Sequence, residues 1–329
     1  MQTTPFGKDN TQISRVGLGC WQLGADWGDL ELSEANAILK ASVDAGVTFL
    51  DTADVYGGGR SEEIIGNFLS KAGLQDDVFV ATKLGRFGDL YPDNYTAASI
   101  QGRVEESLKR LKTDALDLVQ LHCIPTEVME QDEVWTILAD LVSQGKIKRF
   151  GASVETWREA VMCIEKAPEL TSLQIIFNLF RQRPIRKVFD LAKQNQVGII
   201  ARVPLASGLL SGKFDRQTSF AESDHRNYNR DGAAFNVGET FAGVPFENGL
   251  ELVEELAPLV PEGMTLAQMA LRWILDYDAV SVVIPGASRP DQALANASIA
   301  DLPPLPTELH ETIRQLYKEK IRDQIRGAY

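Results

Sequence analysis

Eight short apolar runs, each followed by a stretch with helical spacing of its apolar residues, predict an α/β fold: a (β/α)8 TIM barrel of parallel strands ringed by helices. Two further observations narrow the class. A doubly wound sheet opens on a Gly-x-Gly-x-x-Gly turn, and after Gly17 and Gly19 the third glycine position holds Gln22. No low-complexity linker and no repeat beyond the strand–helix rhythm divides the chain, so residues 1–329 read as a single domain.

The strand candidates are residues 16–19, 47–50, 78–82, 116–121, 147–151, 173–177, 198–203 and 281–284, each short and β-branched or aliphatic. Helical spacing marks residues 33–45, 97–111, 131–143, 156–165 and 184–194, with Ser33 followed by Glu34 as the best-capped start. Residues 309–326, with Ile313, Leu316, Tyr317 and Ile321 on one face, predict a closing C-terminal helix. The polar stretch 215–248 carries Tyr228, Phe235, Phe241 and Phe246, and a long aromatic-bearing segment after the seventh strand reads as a lid loop.

A net charge of −13 with 44% hydrophobic content describes a soluble globular chain. It argues against nucleic acid and anionic membranes, which need clustered Lys and Arg. Residues 1–15 lack a leader-type apolar run, and no later segment reaches the roughly eighteen apolar residues of a membrane span. Cytoplasmic residence is the expectation. Cys20, Cys123 and Cys163 have no CxxC spacing and fit reduced thiols; His225 and His310 have no partner at metal spacing and read as surface residues, so no metal is expected.

Four residues fall where a barrel gathers its chemistry, at the carboxyl ends of strands: Asp51 and Tyr56 after the second, Lys83 at the third, His122 at the fourth. A carboxylate ending a buried run asks for a cationic partner, which Lys83 supplies. Asp54 reads as a turn residue and Trp21 as a pocket wall.

The run Asp51-Thr52-Ala53-Asp54-Val55-Tyr56-Gly57 followed by Ser61-Glu62-Glu63 resembles the signature of the aldo-keto reductases. The likeness extends in order through Gly17-Leu18-Gly19-Cys20-Trp21, Ala81-Thr82-Lys83 and Val119-Gln120-Leu121-His122, and covers residues 16 to about 300. It implies a carbonyl reductase or alcohol dehydrogenase using NADP(H) on a small-molecule carbonyl or alcohol. The residue chemistry agrees: a tyrosine of pKa about 10 needs an ammonium beside it to become a usable acid and base, and Asp51 keeps that ammonium charged. His122 would donate to the carbonyl oxygen, and the hydride has to come from a nicotinamide. A cofactor-binding regulatory subunit, like the potassium-channel β-subunits of this fold, is the alternative.

The resemblance also places the cofactor. Gly19, Cys20 and Trp21 line its near side, and Ser153 and Gln174 match the hydrogen-bonding pair for the nicotinamide amide, although Val154 stands where many members have Asn. In residues 200–205 Arg202 replaces the usual stacking aromatic, beside Pro204 and Leu205. Residues 207–213, with Ser207, Gly208, Leu210 and Lys213, read as backbone along the pyrophosphate. After the eighth strand come Gly286, Ser288, Arg289, Gln292 and Asn296, where a helix amino end opening at Pro290 suits a phosphate. Ser288 and Arg289 are the candidates for an adenosine 2′-phosphate, which favours NADP over NAD.

Overall fold

A computed structural model describes residues 1–24 and 30–329. Among the described residues ten strands form two sheets: β1 (Thr3–Phe6) and β2 (Thr11–Ser14) make an antiparallel hairpin, and β3 (Leu18–Gly19), β4 (Phe49–Asp51), β5 (Phe79–Leu84), β6 (Leu118–His122), β7 (Phe150–Ser153), β8 (Ser172–Ile176), β9 (Gly198–Arg202) and β10 (Val280–Val283) lie side by side in chain order. All neighbouring pairs from β3 to β10 are parallel. Parallel bridges Val16 to Val283 and Gly19 to Gly286 join the first barrel strand to the last, and the barrel closes.

The hairpin is absent from the sequence prediction because four-residue strands leave almost no alternation to read. Its role is visible in packing. Phe6 meets Phe49 and Phe79 with ring centroids 5.8 and 5.6 Å apart, and Phe6, Ile13, Leu118, Ile200 and Val282 join the same interior cluster. That apolar plug fills the amino end of the barrel. Because side chains alternate along a strand, Asp51 faces inward two residues after Phe49, and Lys83 two after Ala81. The interior therefore turns from apolar to polar toward the strand carboxyl ends.

Helix boundaries show where local signals mislead. The first long helix is Leu32–Asp44 with Glu31 at its N-cap and no side-chain cap bond, so Ser33 lies inside the first turn and does not cap it. The predicted segment 156–165 is the helix Trp157–Lys166, capped by Thr156 in a reciprocal box with Glu159. Residues 184–194 divide at Val188 into two short helices, Pro184–Lys187 and Phe189–Gln194. Arg60–Ala72 is an additional helix whose Gly66 allows close packing, since a Cβ there would lie 2.2 Å from Arg110 O. The closing helix is regular over Thr307–Leu316, widens to a π turn at Tyr317–Ile321 and ends at Gln324. In the lid, short helical turns at His225–Tyr228, Val237–Glu239 and Phe241–Gly243 precede the helix Phe246–Leu256, so the irregular part stops at Pro245. Among the described residues no helix is long and apolar enough to cross a membrane.

Candidate active site

Asp51 ends β4 and Lys83 lies near the end of β5, and the two strands pair in parallel register. Lys83 Nζ donates to Asp51 Oδ1 at 2.6 Å, to Thr52 O at 2.8 Å and to Tyr56 Oη at 3.3 Å. The other carboxylate oxygen of Asp51 accepts from Gln174 Nε2 at 2.7 Å. Asp51 and Lys83 are buried, and the turn that carries Tyr56 over them is made by Gly57 and Gly58 at φ +58° and +63°. His122 ends β6 with its ring centroid 5.8 Å from that of Tyr56 and nearly perpendicular to it. Asp51, Tyr56, Lys83 and His122 are thus brought together.

Electrostatics departs from the sequence expectation. Burial pushes the Tyr56 phenol up to about 12, with Lys83 pulling it down and Asp51 and Glu239 pushing it up. Lys83 suffers the same burial, yet Asp51 and Tyr56 hold its ammonium above the ordinary lysine value. The lowered tyrosine is therefore not present here: Asp51 takes much of the lysine's field, and the phenol stays protonated. Burial, together with the cations Arg86, Lys83 and Arg202, holds His122 well below the usual histidine value, so its imidazole is neutral. Its Nδ1 has no hydrogen-bond partner among the described residues.

These groups open into a cleft of about 1490 Å³, larger than the usual single-ligand pocket of roughly 300–1,000 Å³. Its walls include Gly19, Cys20, Trp21, Ser153, Gln174, Pro204, Leu205, Ser207, Gly208, Lys213, Gly286, Ser288, Gln292 and Asn296, along with Asp51, Tyr56, His122 and Arg202. Trp21 stacks on Tyr56 at 5.9 Å and meets Phe235 of the lid at 6.2 Å, as a pocket wall should. The backbone beyond β9 is strained, with Val203, Ala206 and Ser207 at φ +52°, +47° and +54°. At the far end Asn296 Nδ2 donates to Gly286 O at 3.1 Å, and Gln292 Oε1 accepts from the Ser288 N–H and hydroxyl at 2.8 and 2.9 Å. Pro290 is the first residue of the helix Pro290–Ala297, whose amino end opens beside Ser288.

Several cofactor candidates have side chains engaged within the chain. Leu210 is fully buried in the apolar core, so it supports the turn and does not face a ligand. The Ser207 hydroxyl donates to Glu239 O at 2.9 Å and accepts from Phe241 N–H at 3.1 Å, so it serves the lid. Arg289 is more than half exposed and pairs with Asp291 at 3.0 Å; it is not among the cleft walls. Arg202 is held by its edges on the cleft wall: Nη1 meets Glu239 at 2.5 Å, while Nη2 donates to Val154 O at 3.0 Å and to Cys123 Sγ at 3.6 Å. Burial opposes the charge of Arg202, and Glu239 more than restores it.

A second ion pair completes the network. Arg86 Nη2 reaches Glu155 Oε1 at 3.1 Å, and Glu155 Oε2 accepts from Asn236 Nδ2 of the lid at 2.8 Å. Cys123, Glu155 and Glu239 bring ligand atoms within 4.8 Å of one another, yet guanidinium groups already engage all three. Sequence reasoning missed Arg86, Glu155, Asn236 and Glu239. Only the first two gave a signal, lying just past strand ends. His225, read as a surface residue, is buried on the cleft wall 5.0 Å from Trp21, and His310 bonds Asp276 at 2.9 Å. Asp54, read as a turn residue, is buried, and neither carboxyl oxygen has a partner among the described residues.

The aldo/keto reductase family model matches residues 15–318. The aldo-keto reductase YhdN of Bacillus subtilis (strain 168) is 30% identical over 331 residues, covering 99% of this chain and 96% of that protein. A probable voltage-gated potassium channel subunit beta of Oryza sativa subsp. japonica is 31% identical over 339 residues, covering 97% and 98%. Among solved structures, that of a glycerol dehydrogenase from Gluconobacter oxydans superposes with a TM-score of 0.80 at 28% identity, covering 99% of this chain and 98% of that one. A closed parallel barrel with a polar rim at its strand carboxyl ends, matched along nearly its whole length, makes this chain a member of the aldo/keto reductase family.

Proposed function

We propose that the protein is an NADP(H)-dependent oxidoreductase that reduces a small aldehyde or ketone to the alcohol, or runs the reverse. The observation that carries this reading is the Asp51–Lys83–Tyr56 constellation at the floor of the cleft, with neutral His122 beside it. Family membership carries NADP(H) as the cofactor. The walls fit a dinucleotide in kind: amide and hydroxyl groups at Gln174 and Ser153, then glycines at Gly208 and Gly286, then a helix amino end beside Ser288. A bound nicotinamide would supply the hydride.

The chain's residues do the rest. Tyr56, protonated across the neutral range, donates its proton to the developing alkoxide. Lys83 stands behind the phenol and stabilises the phenolate left by that transfer, and Asp51 keeps Lys83 oriented. His122 has a neutral ring near Tyr56 and is suited to bond the carbonyl oxygen. Trp21 and Phe235 keep bulk water from the reacting centre. Cytoplasmic residence and one functional unit over residues 1–329 belong to the same reading.

The reading is tested by following NADPH absorbance with a panel of aldehydes and ketones, on the parent and Tyr56→Phe. The variant keeps ring volume and loses the proton, so turnover should fall by roughly a hundredfold or more while NADPH affinity holds. Near-native turnover in the variant would show the proton donor to be misassigned. The similarity to a potassium-channel subunit supports a second reading, a cofactor-binding regulatory subunit. Tight NADPH binding without turnover on the whole panel would favour it.

A further inference from the structure

Residues 325–329 leave the closing helix and tie down the lid. The Arg326 backbone N–H and Nε both donate to Gly243 O, at 3.0 and 3.1 Å, while Nη1 meets Asp231 Oδ1 at 2.6 Å and Nη2 donates to Arg230 O at 2.9 Å. Two glycines allow that approach. Gly243 has φ +83° and a Cβ on it would lie 2.9 Å from Arg326 O; Gly327 has φ +77° and its Cβ would lie 2.8 Å from Val237 Cγ1. Tyr329 completes the strap, its ring 4.7 Å from the Arg181 guanidinium and 4.1 Å from that of Arg183. Buried Arg181 in turn donates Nε to Ala242 O at 3.0 Å.

The strap grips residues 230–231 and 242–243. Between those grips lie Asn236, bonded to Glu155, and Glu239, paired with Arg202, both on the cleft wall. We propose that Arg326 is a positioning residue for the substrate end of the cleft: by fixing both ends of the lid loop it sets Asn236 and Glu239 in register with Glu155 and Arg202. This rests on reading the cleft as a carbonyl-reducing site. Asp51, Tyr56, Lys83 and His122 are held by their own strands and by one another, so Arg326 reaches them only through the lid and acts first on substrate affinity.

The test compares the full-length parent with Arg326→Ala and Arg326→Lys, the second keeping a charge for Asp231 without the fork that reaches two carbonyls. Backbone hydrogen exchange, measured without substrate or cofactor, should speed up over residues 230–243 by about tenfold or more in Arg326→Ala and leave the barrel strands unchanged. With a carbonyl substrate, KM should rise by about tenfold and kcat should fall by a smaller factor, with Arg326→Lys in between on both measures. Parent-like exchange in the lid would overturn the proposal. So would a fall in kcat that tracks a lowered melting temperature with KM unchanged, the mark of a merely structural residue. If no variant, the parent included, turns over any carbonyl, the functional reading fails, and unchanged lid exchange remains the separate result that would remove the strap.

Discussion

Lys83 Nζ lies 3.3 Å from Tyr56 Oη but 2.6 Å from Asp51 Oδ1, so the ammonium serves the carboxylate first and the phenol second. Burial then decides the phenol's protonation, up to about 12. Reduction needs the protonated form, present throughout the neutral range; oxidation needs the phenolate, whose population grows only as pH climbs toward that value.

Replacing Lys83 with Met should therefore act unequally on the two directions. The phenol loses the charge that pulls it down, so the rising limb of alcohol oxidation against pH should move further up and the rate at pH 9 fall by roughly a hundredfold or more. Carbonyl reduction should lose less. Asp51→Asn belongs in the same variant, because an unpaired buried carboxylate costs about 3–5 kcal/mol and would confuse rate with folding; the upward push of Asp51 on the phenol is lost with it but is smaller than the pull of Lys83. Initial rates in both directions from pH 6 to 10 check this; an oxidation limb that does not move would remove Lys83 from the tuning of Tyr56.

The rim was legible because Asp51, Lys83 and His122 each end an apolar run, and a barrel orders such ends by strand rather than by distance along the chain. The period-two register then forces them inward. What was not legible depends on contacts with irregular chain. Glu239, the partner of Arg202, comes from a lid whose sequence has no periodicity to show which residue turns inward. The protonation of Tyr56 depends on burial, which the same lid and Trp21 impose; His225, polar in composition, is buried for the same reason. The pairing of Arg289 with Asp291, two residues on, is a local contact that strand and helix periodicity does not show.

The Arg202–Glu239 pair should act as a specificity filter. With Glu239 in place Arg202 is neutralised, and burial of both is offset by their attraction. Glu239→Gln leaves a guanidinium uncompensated beside His122 and should improve KM for a 2-oxo acid relative to a neutral aldehyde by about tenfold. Thermal stability should fall, because the remaining charge is buried. Parallel kinetics with a charged and a neutral carbonyl compound check the shift; equal changes for both would show that Arg202 does not face the substrate.

Asp54 supplies a stability prediction with a definite sign. Burial, with Glu62 nearby, raises its carboxyl to about 7 from an ordinary 3.8. Between those values the folded chain holds a proton that the unfolded chain has released, so this contribution is complete below about pH 4 and is lost as pH rises through about 7. Asp54→Asn, neutral at every pH, should therefore gain on the parent by on the order of 1–3 kcal/mol between pH 5 and pH 8. Urea melts of both proteins at the two pH values measure it. A difference that does not change with pH would mean Asp54 is ionised throughout.

The last prediction concerns the pairing of Arg289 with Asp291 at 3.0 Å, both more than half exposed, beside Ser288 at the opening of the helix Pro290–Ala297. If this helix start receives an adenosine 2′-phosphate, the phosphate must draw Arg289 away from Asp291. A dianion outcompetes one exposed carboxylate, but part of the attraction is spent in the exchange. Arg289→Ala should then weaken NADPH binding by about three- to tenfold, less than loss of a dedicated arginine would, and Asp291→Asn, which frees the guanidinium and removes a like charge, should tighten it by about the same factor. NADH, with a free 2′-hydroxyl, should bind both variants as it binds the parent. Fluorescence titrations of the three proteins with each cofactor give the answer. The opposite signs of the two substitutions are the decisive feature: a site that does not meet the 2′-phosphate would give no such opposition, and equal changes for NADPH and NADH would place Arg289 outside cofactor discrimination.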